Sequence, residues 1–119
     1  MKAVVTGGAG FIGSHLVDAL LKENIDVTVL DNFSTGRPEN LDHVRNQIEL
    51  VESDIGVQGD WIKYFNKGDW IFHLAALSDI VPSVQQPESY YRSNVDGTFN
   101  VLQASKAAGV ERFVYSASS

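Results

Sequence analysis

Thr6-Gly7-Gly8-Ala9-Gly10-Phe11-Ile12-Gly13 decides the fold of this chain. Its glycines at 7, 10 and 13 form a G-x-x-G-x-x-G spacing. The stretch before it, Lys2 to Thr6, is short and β-branched and predicts a strand. The stretch after it, Phe11 to Lys22, predicts a helix with Ile12, Leu16, Ala19 and Leu20 on one face. A glycine loop that joins a strand to a helix is the context in which such a loop binds the pyrophosphate of a dinucleotide. Gly7 supplies a tight turn, Gly10 lets backbone approach the pyrophosphate, and Gly13 removes a side chain where helix and strand pack closely. The anion would rest on the free N–H groups at the positive end of the helix dipole.

Outward from the loop, short apolar runs alternate with helical patterns. Val27 to Leu30 is a second strand, ended by the turn-rich stretch Asp31 to Pro38. A weak helix over Glu39 to Arg45 leads to a third strand at Ile48 to Glu52, and Gly59 to Asn66 predicts a short helix. Asp69 to Leu74 is a fourth strand. Pro87 to Ala108 is the longest helical pattern, with Gly109 just past its end, and Arg112 to Ser116 is a fifth strand. Strands separated by helices pair in parallel with helices on both faces, so the expected architecture is a doubly wound parallel α/β sheet in one domain over residues 1–119. Strands as uniformly apolar as Val27 to Leu30 fit a sheet buried on both sides. Asp31 then stands 18 residues beyond Gly13, at the end of the second strand, where a carboxylate meets the adenosine ribose. A carboxylate there disfavours a 2′-phosphate and selects NAD over NADP, with Arg37 the nearby cation that opposes this preference. The plainer alternative for Asp31 is a turn residue in Asp31 to Gly36.

Composition removes several alternatives. The chain has 119 residues, 44% hydrophobic and 20% charged, which is the make-up of a core-forming domain. With 9 basic against 15 acidic side chains its formal net charge is −6, and it lacks the clustered Lys and Arg of a nucleic-acid surface. It contains no cysteine, which excludes disulfides, thiolate catalysis and Cys-based metal sites. Its first residues are too short an apolar run for a signal peptide, and no stretch approaches the roughly 20 apolar residues of a membrane span. The expectation is a cytoplasmic protein without membrane or nucleic-acid partners. His15, His43 and His73 have no metal-site spacing and read as structural; no metal is expected.

Six stretches together resemble the extended short-chain dehydrogenase/reductase family, in its branch of NAD-dependent sugar epimerases and dehydratases. They are Thr6 to Gly13, Asp31 to Gly36, Ser53-Asp54-Ile55, His73 to Ala76, Asn94 to Thr98, and Arg112 to Ser119, in the family's order. The resemblance implies a Rossmann NAD-binding fold, here reaching its fifth strand, and specific roles. Phe11 and Ile12 would line the pyrophosphate loop. Asp31 and Asn32 would hold the ribose, with Ser34, Thr35 and Gly36 continuing that pocket. Asp54 and Ile55 would flank the adenine. Leu74, Ala75 and Ala76 would run beside the cofactor, and Asn94 would face it from the long helix. Ser118 falls on the family's catalytic Ser/Thr, and Ser116 lines the nicotinamide side. Plainer roles stand beside these: Asp54 as a turn cap before Gly56, the alanines as packing, Asn94 as a solvated helix residue, Ser118 as an ordinary serine.

The family's reaction needs a tyrosine with a lysine four residues later. Tyr64, Tyr90, Tyr91 and Tyr115 are followed at that distance by Gly68, Asn94, Val95 and Ser119, so the pair is absent. The expectation is the cofactor-binding, N-terminal part of a longer enzyme, inactive alone. Its implied substrate is a nucleotide sugar, with 4-epimerisation of UDP-hexoses as the first choice of reaction. Ser78, where many such epimerases carry a lysine, keeps dehydratases and decarboxylases open. A non-catalytic NAD-sensing module is the other reading. The resemblance also implies a homodimer through the long helix.

Overall fold

The computed structural model describes residues 1–33, 36–74 and 96–115. Along β1 (Lys2–Thr6) the side chains alternate between two cores. Ala3 and Val5 belong to one buried cluster, Val4 to another. β2 (Asp26–Asp31) does the same, with Val27 and Val29 on the first side and Leu30 on the second. This two-residue period, with both sides apolar, is what a sheet covered on both faces requires. β3 (Ile48–Glu52), β4 (Trp70–His73) and β5 (Arg112–Tyr115) complete a five-stranded sheet of order β3-β2-β1-β4-β5. Every pairing is parallel, with Thr6 opposite Leu30 on one side and His73 on the other. The expected doubly wound sheet is therefore the observed one, and the chain reverses direction of winding at β1, whose end carries the glycine loop.

The first face is covered by α1 (Phe11–Lys22) and a 3-10 segment, Pro38–Gln47, which insert Val17, Leu20, Leu41 and Val44. The second is covered by a shorter 3-10 segment, Asp60–Tyr64, and by α2 (Gly97–Ala108), which insert Trp61, Val101 and Ala104. Gly109 closes α2 as anticipated. The expected helix start at Pro87 lies outside the described residues; within them the helix runs from Gly97.

Two expectations needed correction. The buried face of α1 is Gly13, Ser14, Val17 and Leu20, whereas Ile12 and Ala19 are exposed. Gly13 turns inward because the first turn of the helix presses on the glycine loop, where a Cβ would stand 2.2 Å from Gly7 O, while Leu16 and Leu20 pack on the core as expected. The weak helix at 39–45 is a ten-residue 3-10 segment. Its buried residues, Leu41 and Val44, stand three apart, the spacing that three residues per turn places in one row. Among the described residues no helix is long and apolar enough to cross a membrane.

Candidate functional site

Strand β1 hands its chain directly to the loop. Gly7 takes φ 75, a left-handed conformation that glycine adopts without steric cost, and donates its N–H to Leu30 O at 2.8 Å. Gly10 then donates to Gly7 O at 3.1 Å, and Ser14 donates to Gly10 O at 2.9 Å, which starts α1. Gly10 is the N-cap residue, without a side chain to satisfy the first helical amides. The N–H groups of the opening turn, at Phe11 and Ile12, have no acceptor within the helix. Phe11 and Ile12 themselves point outward, 77% and 69% exposed.

The loop's glycines serve different purposes. A Cβ on Gly13 would stand 2.2 Å from Gly7 O, so the helix can pack on the loop only if residue 13 has no side chain. The close approach is thus between helix and loop backbone, rather than between helix and strand. Gly36 is likewise forced, because its Cβ would meet Ala9 C at 2.8 Å and Gly10 N at 2.9 Å. Gly10 is different. It has an extended backbone (φ −74, ψ 175), and among the described residues its Cβ would touch only Gly7 O, at an ordinary 3.4 Å. Nothing in the described protein explains why this position carries no side chain. The room above it is a cradle at a helix N-terminus, which suits a phosphate group.

Asp31, 7% exposed at the end of β2, faces this loop. Its Oδ2 accepts the Ala9 N–H at 3.0 Å and its Oδ1 accepts the Phe33 N–H at 2.8 Å. The turn role and the loop-facing role are therefore both present in one carboxylate. The second bond holds Phe33 in a left-handed conformation (φ 60) that non-glycine residues rarely adopt, and the Phe33 ring packs against the first core. Each carboxylate oxygen retains a lone pair, so the group can still accept from a diol placed beside it. Asn32 is exposed next to it.

Asp54 accepts the Gly56 N–H at 2.8 Å, the turn cap foreseen for it, and lines a cleft with Ser53, Val57 and Trp61. Ile55 buries its side chain in the second core, and its carbonyl accepts from Asn100 Nδ2 at 2.8 Å. Leu74 follows β4, and its N–H lies 2.9 Å from Thr6 O and 3.0 Å from Thr6 Oγ1. Thus Gly7, Gly10, Phe11, Ile12, Gly13, Asp31, Asn32 and Gly36 gather at one corner, where β1 and β2 end. Leu74 and the Asp54–Ile55 turn follow the ends of the strands on either side of that pair. Ser34, Thr35, Ala75, Ala76, Asn94, Ser116 and Ser118 lie outside the described residues.

Sequence reasoning foresaw none of three sets of contacts here. Ala9 is braced through its carbonyl by the Arg37 N–H (3.0 Å) and by Asn40 Nδ2 (2.7 Å). Asn100 is a polar member of the inward row 97, 100, 101, 104, 105 of α2, a signal that was available. His73 is fully buried and held at both nitrogens, with Nδ1 2.7 Å from Thr6 Oγ1 and Nε2 2.9 Å from Thr98 Oγ1. Thr6 Oγ1 already accepts from Leu74, so its O–H is assigned to donate to Nδ1 and the Nε2–H to donate to Thr98. Tyr115 stacks on the ring at 5.5 Å. Burial lowers the His73 pKa from 6.5 to about 4, so the ring is neutral at pH 7. Both ring nitrogens are thus spent on Thr6 and Thr98, and among the described residues no cluster could hold a metal.

Comparison with known proteins gives a consistent picture. The model of the NAD dependent epimerase/dehydratase family matches residues 3–119. A UDP-glucose 4-epimerase from Pasteurella multocida is 41% identical over 124 residues, an alignment that covers 99% of this chain and 37% of the relative. UDP-glucuronic acid decarboxylase 1 of Arabidopsis thaliana is 40% identical over 121 residues, covering 100% of this chain and 26% of the relative. The crystal structure of the Thermotoga maritima UDP-glucose 4-epimerase with UDP-glucose superposes with a TM-score of 0.91 at 36% identity, covering 99% of this chain and 38% of that one. The chain thus spans well under half the length of the proteins it matches.

Proposed function

The chain belongs to the NAD dependent epimerase/dehydratase family, and from that premise we propose that it is the NAD-binding part of a nucleotide-sugar epimerase acting on UDP-hexoses at C4. The observation that carries the cofactor half of this reading is Gly10. It sits at the N-terminus of α1 with room above it that the described protein does not use, opposite the Asp31 carboxylate. The donor set suits a dinucleotide: amides of the first helical turn for the pyrophosphate, and Asp31 with Asn32 for the ribose hydroxyls. When bound, NAD supplies a reversible hydride acceptor.

The chain's own residues bind and orient. Gly7, Gly10 and Gly13, with Phe11 and Ile12, shape the phosphate loop. Ser34, Thr35 and Gly36 continue the ribose pocket, and Asp54 and Ile55 flank the adenine, Ile55 through its backbone. Leu74, Ala75, Ala76 and Asn94 run beside the cofactor. Ser116 lines the nicotinamide side, and Ser118 donates a hydrogen bond to the sugar oxygen. The protein works in the cytoplasm as a homodimer; Phe99 and Leu102, large apolar side chains exposed on α2, support a partner on that helix.

The decarboxylase relative keeps a second reaction in view, because its identity to this chain is close to that of the epimerase. Supplying the full-length protein with UDP-galactose and, separately, UDP-glucuronate tests the proposal. Interconversion of UDP-galactose and UDP-glucose is expected. Carbon dioxide release from UDP-glucuronate without that interconversion moves the assignment to the decarboxylases, and failure to bind NAD removes it altogether.

A further inference from the structure

Ala9 lies in the middle of the glycine loop, and its backbone polar groups are tied to the last residue of β2 and to the segment that follows it. Its N–H is held by Asp31 Oδ2, and its carbonyl receives the Arg37 N–H and the Asn40 side-chain amide. The 2.7 Å bond from Asn40 crosses 31 positions of sequence. It forms because Gly36 lets this segment lie against the loop backbone, so closely that a Cβ at residue 36 would stand 2.8 Å from Ala9 C. Asn40 itself is exposed on the 3-10 segment, so its side chain contributes little to either core.

The direction of the Ala9 carbonyl matters because the same peptide unit carries the Gly10 N–H, which donates to Gly7 O. Rotation of that unit would break this bond and turn the Ala9 carbonyl oxygen toward Gly7 O. Two carbonyl oxygens facing one another repel, so the loop would reshape and the preorganised amides of the helix start would no longer converge on one point. We propose that Asn40 is a positioning residue for the cofactor pyrophosphate: through the Ala9 carbonyl it holds the phosphate loop in its anion-accepting orientation. This rests on the reading that the loop binds NAD.

The test is calorimetric titration of NAD into the full-length, cofactor-stripped protein as wild type, Asn40→Ala and Asn40→Leu, with unfolding midpoints measured alongside. Loss of one neutral hydrogen bond that orients the site predicts about fivefold weaker NAD binding in both variants. A lower unfolding midpoint alone does not change the affinity of molecules that are still folded. Leucine fills the volume of asparagine without its donor, so a packing role predicts that Asn40→Leu recovers wild-type affinity where Asn40→Ala does not. Wild-type affinity in Asn40→Leu overturns the proposal while leaving the NAD assignment in place. No NAD binding by the wild-type protein overturns both.

Discussion

Two corners of this molecule begin at the same strand end and are held by different means. On one side of β1, the corner of Gly7 to Gly13 with Asp31, Gly36, Arg37 and Asn40 is organised around main-chain atoms. Ala9 N–H, Ala9 O, Gly7 O and the Gly10 N–H are all engaged, and glycines stand where a Cβ would collide with backbone. On the other side, Thr6, His73 and Thr98 join β1, β4 and α2 through side chains in a buried place. A corner built on backbone can leave its N–H groups facing a ligand and tolerates few side chains near them. A corner built on side chains spends its polar groups on one another and leaves none for chemistry. On the proposed function, the difference separates the cofactor's surface from scaffold at one strand end.

The same difference explains what could be read before the structure. Glycine spacing is a sequence-local record of backbone crowding, so the loop, its strand and the position of Asp31 were legible. So was the sheet, because Ala3, Val4 and Val5, or Val27, Val29 and Leu30, supply apolar side chains to both faces. The His73 pin was not, since its partners stand 67 and 25 positions away and threonine carries no distinctive signal. The inner face of α1 was read in part, with Leu16 and Leu20 packing on the first core, while Gly13 is inward because a Cβ there would stand 2.2 Å from Gly7 O. The brace on Ala9 escaped because its geometry depends on how closely residues 36–40 approach the loop.

Substitutions can break or sharpen this contrast. The largest expected effect is Gly13→Ala, whose methyl group would stand 2.2 Å from Gly7 O. Forcing helix and loop apart is expected to cost about 3 kcal/mol or more in denaturant unfolding and to abolish NAD binding, since overpacking of a rigid site relaxes poorly. Retention of wild-type stability would mean that the loop is more pliable than its backbone bonds indicate.

The scaffold corner has an acid signature. His73 is neutral in the folded protein, with its pKa lowered to about 4 by burial. Above pH 6.5 folded and unfolded states both hold it neutral, and the group adds no pH dependence. As pH falls from 6.5 toward 4 the unfolded chain takes up a proton that the folded chain refuses, and stability drops. A shift of this size corresponds to about 3 kcal/mol by pH 4. Unfolding free energies of wild type and His73→Asn, measured from pH 7 to pH 4, should converge by that amount. Parallel curves would show that His73 is protonated without penalty.

Asp31→Asn separates the two duties of that carboxylate better than alanine, because it keeps the shape and one acceptor. About tenfold weaker NAD binding is expected, from loss of a charged acceptor toward the ribose. Unchanged affinity would leave Asp31 as a clamp on Ala9 and Phe33 alone. Thr98→Val leaves the His73 Nε2–H without its acceptor and should cost about 1 kcal/mol of stability while NAD affinity stays at the wild-type value. A loss of affinity there would show that the two corners are coupled.

Gly10→Ala carries the smallest expected effect on the fold and the most direct test of the account. The backbone of Gly10 is extended and its added methyl would make only an ordinary contact with Gly7 O, so stability should change by less than about 1 kcal/mol. NAD binding by the full-length protein, titrated calorimetrically, should nevertheless fall at least tenfold, because the methyl group occupies the room reserved for the pyrophosphate. Wild-type affinity in a stably folded Gly10→Ala protein would contradict the placement of a dinucleotide on this loop.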